Sequence, residues 1–329
     1  MTVFITGGTG FIGRALVEEL GRQSGFETLV LTRREPGESK FGERQRYFKG
    51  DVREIEDLRR IALPEGVDYL VHIAGAAHQF GEQDENYFRA ANAEGTENIC
   101  RWAAEKGIGN LILISSVSVY GDHGGATIDE DFPCRAAGVY AESKLAAEKM
   151  AEVVCRQNNI RLAILRLATV IGEGDPGNLG RLIAAVDRGR FVWIGKGLNR
   201  KTLIDRHDVA RAIVQIIRKG IGADFGVYNV AGASLTMKEI VSEIYLSLGR
   251  RPLPFAIPVT PVMIGLGAVR RLGGGKLADG LRKNIEKWIS DDIFAGTKIL
   301  RDYGFEPQTP ISESIGRQVL YYKKGKKNE

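Results

Sequence analysis

The chain has 329 residues, 43% hydrophobic and 26% charged, which excludes a disordered protein and points to one large domain with an appended lobe, or to two domains. Its 41 glycines show no three-residue period, so collagen is excluded and tight turns or close backbone approaches remain. The net charge of +5 suits anionic ligands, while three widely spaced cysteines make neither a disulfide framework nor a zinc site, so a reducing, cytoplasmic setting and no metal are expected.

Val3-Phe4-Ile5 is a short apolar strand with no basic leader before it, so no signal peptide is expected. A glycine-rich turn, Thr6 to Gly13, leads into a helix whose apolar residues Ile12, Ala15, Leu16 and Leu20 recur at three and four positions. Strands are expected at Thr28–Leu31, near Tyr47-Phe48, and at Tyr69–Ile73, Leu111–Ile114 and Leu162–Leu165. Helices fall between them at Glu54–Ile61, Tyr87–Lys106 and from Tyr140 to about Asn158. This alternation predicts an α/β fold, a Rossmann-like doubly wound parallel sheet. After Gly172 the alternation weakens: a glycine-rich loop at 172–180, a helix at Leu179–Arg188, a strand at Phe191–Ile194, a helix at 208–218 and a last core strand at Tyr228–Val230. From Leu235 short helices and three prolines suggest a smaller C-terminal lobe. The expected organisation is a dinucleotide-binding domain at 1–172 to which 202–232 return, a substrate lobe at 173–201 and 233–322, and a loose basic tail at 323–329. No apolar run is long enough to span a membrane, and the basic residues lack the interleaved aromatics of a nucleic-acid site.

Gly7, Gly10 and Gly13 sit between a strand and an amphipathic helix, the context in which Gly-x-x-Gly-x-x-Gly reads as a pyrophosphate cradle. Gly7 permits the turn, Gly10 a close approach of backbone to phosphate, and Gly13 close packing of helix on strand. Strand two ends at Thr32-Arg33-Arg34, with no carboxylate to bond a ribose or repel a 2′-phosphate, so NADP(H) is favoured and NAD(H) stays open. Asp51 follows its strand where it can bond an adenine amino group, or alternatively cap the next helix. Tyr140 and Lys144 lie four residues apart on one helical face, so the ammonium favours the phenolate and fits Tyr140 for proton exchange with an alcohol oxygen. Ser116 ends an apolar strand, where parallel sheets place ligand-contacting residues, and can donate to that oxygen.

The chain resembles the extended short-chain dehydrogenase/reductases, in their NAD(P)-dependent nucleotide-sugar epimerase/dehydratase branch, over about residues 2–320. The resemblance is carried by Thr6-Gly7-Gly8-Thr9-Gly10-Phe11-Ile12-Gly13, Gly50-Asp51-Val52, His72-Ile73-Ala74-Gly75, Asn92-Ala93-Glu94-Gly95-Thr96, Ser115 to Gly121 and Tyr140-Ala141-Glu142-Ser143-Lys144. It implies a catalytic triad of Ser116, Tyr140 and Lys144, and a cofactor site including Phe11, Ile12, Val52, Ala74, Asn92 and Lys144. Leu167 stands where the family has a proline beside nicotinamide. Asn178 and Leu179, with Arg200 and Lys201, are implied at the substrate's diphosphate; a solvated loop is the alternative for Arg200 and Lys201. A homodimer through the helices bearing Asn92 and Tyr140 is a further implication.

Val117 and Ser118 stand where the family's 4,6-dehydratases carry Asp-Glu, which argues against dehydration, and Ser118 replaces the cysteine of its 3,5-epimerase/reductases. Two reactions at sugar carbon 4 remain. Arg33 and Arg34, with loose matches at Ala77-His78, Asn199 to Lys201 and Lys298 to Phe305, favour 4-keto reduction of a UDP-(6-deoxy)-N-acetylhexosamine; a UDP-hexose or N-acetylhexosamine 4-epimerase is the alternative. A steroid- or flavonoid-type alcohol dehydrogenase and a non-catalytic NADP-binding regulator are further alternatives. The apolar stretch Phe255–Val269 suits a pocket lining or a weak peripheral membrane contact beside Arg270 and Arg271, although a packed helix of the small lobe is the preferred expectation.

Overall fold

The structure is a computed structural model and describes residues 1–33, 44–77, 84–251, 256–271 and 275–326. In chain order the first half runs β1 (Thr2–Thr6), α1 (Phe11–Arg22), β2 (Glu27–Thr32), β3 (Gln45–Lys49), α2 (Ile55–Arg59), β4 (Val67–His72), α3 (Glu85–Phe88), a π turn (Arg89–Glu94), α4 (Gly95–Glu105), β5 (Asn110–Ser116), a 3₁₀ turn (Val117–Tyr120), β6 (Thr127–Ile128), α5 (Val139–Gln157), β7 (Arg161–Leu167) and β8 (Thr169–Ile171). The second half runs α6 (Asn178–Asp187), β9 (Trp193–Ile194), β10 (Arg200–Asp205), α7 (Arg206–Lys219), β11 (Phe225–Val230), β12 (Ser234–Thr236), α8 (Met237–Leu248), β13 (Ala256–Ile257), α9 (Val259–Arg271), α10 (Gly275–Ile289), β14 (Ile293–Phe294), α11 (Thr297–Tyr303) and α12 (Ile311–Lys326).

Seven strands form the central sheet in the order β11-β7-β5-β4-β1-β2-β3, all parallel. Successive side chains leave a strand on opposite faces, and here both faces are covered. Val3, Ile5, Val30, Val71, Ile112 and Leu165 meet residues of α1 and α7 on one side. Phe4, Leu29, Leu70, Leu111 and Ile164 meet Ile99 and Trp102 of α4 and Ala151 of α5 on the other. The chain reverses direction across the sheet between β1 and β4, so the crevice at the C-terminal ends of those strands is where this topology accepts a ligand. The three cysteines are free thiols, and the thiol of Cys100 on α4 is hydrogen-bonded to that of Cys155 on α5 within the second layer.

A second core, built from Ile183 of α6, Ile240, Val241 and Ile244 of α8, and Ile315 and Val319 of α12, makes the smaller lobe. Not all of 233–322 belongs to it. Ile299 and Tyr303 of α11, with Phe305, pack into the core of the sheet domain instead. Nor is the expected loose tail observed up to Lys326. The apolar face of α12 docks in the lobe, and its last turn is held by Lys326 on Asp187 at 2.8 Å and by Lys323 donating to the Ser247 carbonyl at 3.1 Å. α9 also departs from expectation: none of its residues is buried.

Asp205, fully buried, joins the two cores. Its carboxylate caps α7 through the His207 N–H at 2.7 Å and accepts from Ser314 Oγ at 2.5 Å and Arg317 Nη2 at 2.6 Å, both on α12. Removing a buried acceptor that serves a cation costs about 3 kcal/mol or more, so Asp205→Ala is expected to shift the urea midpoint by at least that equivalent. A loss under about 1 kcal/mol, the size of a simple cap deletion, would refute this role.

Candidate active site

The turn after β1 is shaped by backbone contact. Gly7 has φ +71°, and a Cβ there would stand 2.6 Å from the Ala74 nitrogen. A Cβ on Gly13 would stand 2.1 Å from the Gly7 carbonyl oxygen. With Gly10 extended and offering no side-chain cap, the first N–H groups of α1, those of Phe11 and Ile12 included, remain available to a phosphate. The cradle therefore fits a dinucleotide pyrophosphate. Arg206, absent from the sequence-derived set, places its guanidinium 5.6 Å above the Phe11 ring at this same end and pairs with Glu173 at 2.6 Å. Burial works against the Glu173 carboxylate, but its bond to His207 and the nearby Arg206 hold it down at about 2.

Below the cradle a buried polar chain ties β1, β4 and the π turn together. Thr6 Oγ1 lies 2.6 Å from His72 Nδ1, His72 Nε2 lies 3.1 Å from Thr96 Oγ1, and Thr96 donates to the Asn92 carbonyl at 2.5 Å. The π turn, a distortion common at functional sites, aims Asn92 into the interior. There Asn92 Oδ1 accepts from the Ala76 N–H at 2.7 Å, and its Nδ2 donates to the Ala76 carbonyl at 3.1 Å and to Ser143 Oγ at 2.9 Å. Ala74 borders Gly7, and Val52 is buried against Gly95.

The three residues expected to form a triad come together around α5. Tyr140 is half-buried and its hydroxyl is hydrogen-bonded to Ser116. Burial pushes the phenol above its ordinary value, and the Ser116 bond pulls it back. Lys144, one turn further and buried, donates from Nζ to the Ile114 carbonyl at 3.0 Å. Burial lowers its pKa to about 8, and Glu148, another turn along the same face, opposes that shift. A Cβ on Gly75 would fall 3.4 Å from Lys144 Nζ and 2.6 Å from Asn92 Oδ1, so the loop after β4, the π turn and α5 converge on one point. Ser118 Oγ, one 3₁₀ turn from Ser116, is buried with no hydrogen-bond partner among the described residues.

Behind the triad lies an ion pair that the sequence-derived set also lacks. Arg166 and Glu148 are both buried and meet at 2.7 and 3.1 Å, while Ser115 Oγ donates to Glu148 at 2.5 Å. The Arg166 guanidinium lies 4.9 Å over the Tyr120 ring, and Tyr120 donates to Asn229 Oδ1 at 2.7 Å. Leu167 ends β7 in register with Ser116, and its side chain is in the sheet core.

Other expected residues have different surroundings. Arg33 is exposed, and Arg34 lies outside the described residues, as does His78. Asp51 bonds Arg53 at 2.6 Å and accepts its N–H at 3.0 Å. Burial opposes ionisation of Asp51, yet Arg53 and the more distant Arg33 hold its pKa below the usual value. Asn178 opens α6, exposed and bonded to Arg181, whereas Leu179 is buried in the lobe core. Lys201 pairs with Asp292 at 2.5 Å, and Arg200 bonds the Ser234 carbonyl. These two cations are thus engaged within the lobe.

A parallel dinucleotide sheet with a glycine cradle at its switch point and a Ser-Tyr-Lys group on β5 and α5 defines an extended short-chain dehydrogenase/reductase. The sequence model of the NAD dependent epimerase/dehydratase family matches residues 3–231. The chain is 33% identical to YbjS, an uncharacterised protein of Escherichia coli (strain K12), with 98% of this chain and 97% of that protein covered. It is 26% identical to the N-acetyl-alpha-D-glucosaminyl-diphospho-ditrans,octacis-undecaprenol 4-epimerase of Escherichia coli O157:H7, covering 97% of this chain and 94% of that one. Its fold matches that of a UDP-glucuronic acid 4-epimerase from Bacillus cereus, solved in complex with NAD, at a TM-score of 0.77 and 18% identity over 98% and 99% of the two chains. The chain belongs to the NAD-dependent epimerase/dehydratase family and is an enzyme.

His72 generates a pH prediction. Burial, then the charge of Lys144, lowers its pKa to about 3, so the folded chain keeps it neutral while the unfolded chain protonates near the ordinary value of 6.5. The unfolded state binds the extra proton between those values, so stability falls as pH drops from 6.5 toward 3, by roughly 2 kcal/mol at pH 5. Urea titrations from pH 7 to pH 5 check this, and a His72→Gln variant is expected to lose that part of the slope.

Proposed function

We propose that the chain is a 4-epimerase of an N-acetylhexosamine carried on a diphosphate, working with a retained NAD(H). The reading is carried by Tyr140 bonded to Ser116 with Lys144 buried on the same helical face, beside a glycine cradle and with Val117 and Ser118 where a dehydratase has carboxylates. Whole-length similarity to the undecaprenol-linked 4-epimerase supports inversion at carbon 4 over the one-way 4-keto reduction expected from Arg33 and Arg34. The proximity of Asp51, whose carboxylate feels the Arg33 charge, weakens the case for a dedicated 2′-phosphate site.

Gly7, Gly10 and Gly13, with the start of α1, would hold the pyrophosphate, and Asn92 and Lys144 would border the nicotinamide end. The bound dinucleotide supplies a hydride acceptor and donor at carbon 4. Tyr140 Oη takes the proton of the 4-hydroxyl, the resulting 4-keto sugar turns its other face to the dinucleotide, and Tyr140 returns the proton to the oxygen of the inverted centre. The Ser116 hydroxyl donates to the same oxygen and fixes its distance from Tyr140. Lys144, charged below about pH 8, stabilises the phenolate that this exchange needs.

Incubation of the purified enzyme with N-acetylglucosaminyl-diphospho-undecaprenol or UDP-N-acetylglucosamine, without added cofactor, is expected to yield the galacto epimer. Denaturation is expected to release NAD. Stoichiometric NADPH oxidation without interconversion would establish the reductase instead. Tyr140→Phe is expected to lower turnover at least about 100-fold with cofactor binding kept. Lys144→Met is expected to abolish turnover while holding or raising Tm, because the folded state retains a cation whose pKa burial has lowered to about 8. A folded Lys144→Met enzyme with near-normal turnover would overturn the assignment.

A further inference from the structure

The α9–α10 hairpin is the part of the molecule that its interior does not explain. α9 is apolar from Val259 to Val269, carries no acidic residue, and has none of its side chains buried. Val262, Met263 and Leu266 are half-buried, while Ile264, Ala268 and Val269 are exposed, Ile264 to 68%. Ile264, Ala268 and Arg271 follow at four and three residues, so a single outward face runs from an isoleucine to an arginine. Leu281 of α10 and Ile257 before α9 are exposed as well. A helix apolar around its whole circumference is ordinarily buried.

Charge says what covers it. By sequence α9 and α10 together contain six Lys and Arg against two Asp and Glu, a local excess of cations in a chain whose net charge is +5. Arg270 lies 3.6 Å from Asp279 and Arg282 lies 2.8 Å from Glu286, so both acids already have cations beside them. A symmetric contact between two copies would set this cationic, apolar surface against itself. An anionic bilayer presents the complement, acyl chains for Ile264, Ala268, Val269 and Leu281, and phosphates for Arg271 and its neighbours.

The hairpin is also fastened at its base to both the smaller lobe and the sheet domain. β13, before α9, pairs with β9, and β14, after α10, pairs with β6 beyond the Ser116 turn. The Trp288 carbonyl at the end of α10 accepts from Asn199 at 2.8 Å, next to the strand carrying Arg200 and Lys201.

We infer that the α9–α10 hairpin seats the enzyme on an anionic membrane surface, where its substrate is a lipid-linked sugar diphosphate, the last clause resting on the epimerase reading. Sedimentation of the full chain with vesicles of phosphatidylcholine, with and without phosphatidylglycerol, tests the surface in the absence of any sugar. Binding is expected to the phosphatidylglycerol vesicles and to fall about tenfold or more in an Ile264→Asp, Arg271→Glu double variant whose Tm and cofactor binding match the parent. No binding to anionic vesicles, binding that the double variant retains, or an Ile264-dependent dimer in solution would each overturn it. The substrate clause is read separately. The double variant is expected to lose turnover of N-acetylglucosaminyl-diphospho-undecaprenol in vesicles and to keep turnover of a short-chain, water-soluble polyprenyl-diphosphate sugar. Equal loss on both substrates, or turnover of UDP-N-acetylglucosamine alone, would remove the lipid-linked substrate even if the membrane seat stands. Turnover of no sugar diphosphate would sink the epimerase reading and leave the vesicle result to judge the surface by itself.

Discussion

An ammonium group held away from water governs the layout of this active site. Lys144 is buried, and a buried cation needs acceptors and a nearby negative charge. The Ile114 carbonyl supplies the first at 3.0 Å, which ties α5 to the end of β5, the strand that presents Ser116. Glu148 supplies the second from one turn along α5. Glu148 is itself shared with Arg166 and Ser115, so the charge beside Lys144 is anchored to β7 and β5 together. The same cation explains why His72 sits neutral between two threonines: a second positive charge there would face both burial and Lys144.

Tyr140 gains its place from this arrangement. It lies one turn before Lys144, its backbone carbonyl accepts from Ser143, and Ser143 in turn accepts from Asn92 on the π turn. Three separate segments are thereby set to one geometry: the loop after β4, the π turn and α5. Burial makes this phenol less acidic, and the Ser116 bond works against that shift. The site thus gathers opposing effects on one proton, which is the condition for moving it in either direction.

The second lobe is joined to this centre by charge as much as by packing. Asp205 sits where β10 meets α7 and accepts from two residues of α12. Its neighbour Arg206 reaches back over Phe11 at the cradle. The lobe's anchoring groups therefore end within reach of the cofactor turn. The hairpin of α9 and α10, by contrast, projects its apolar side outward and carries more cations than anions.

The sequence by itself determined the sheet and the glycine turn, and it singled out Ser116, Tyr140 and Lys144 as the candidates that the fold then brings together. Each depends on local relations: alternating apolar strands, glycines at fixed spacing, and Tyr140 and Lys144 one helical turn apart. It did not reveal the Glu148–Arg166 pair or the stacking of Arg206 on Phe11, because those partners are far apart in the chain and meet only when α5 packs on β7 and α7 on α1. It also read Arg200 and Lys201 as available cations, whereas the fold supplies Ser234 and Asp292 to them. The lysines at the chain end looked unstructured because composition carries no information on docking; Ile315 and Val319, a few residues earlier, bring Lys323 to the Ser247 carbonyl and Lys326 to Asp187. Tertiary structure alone decided which charges are spent inside the molecule and which, like Arg271 of the hairpin, are left facing out, since only packing determines what a charge can reach.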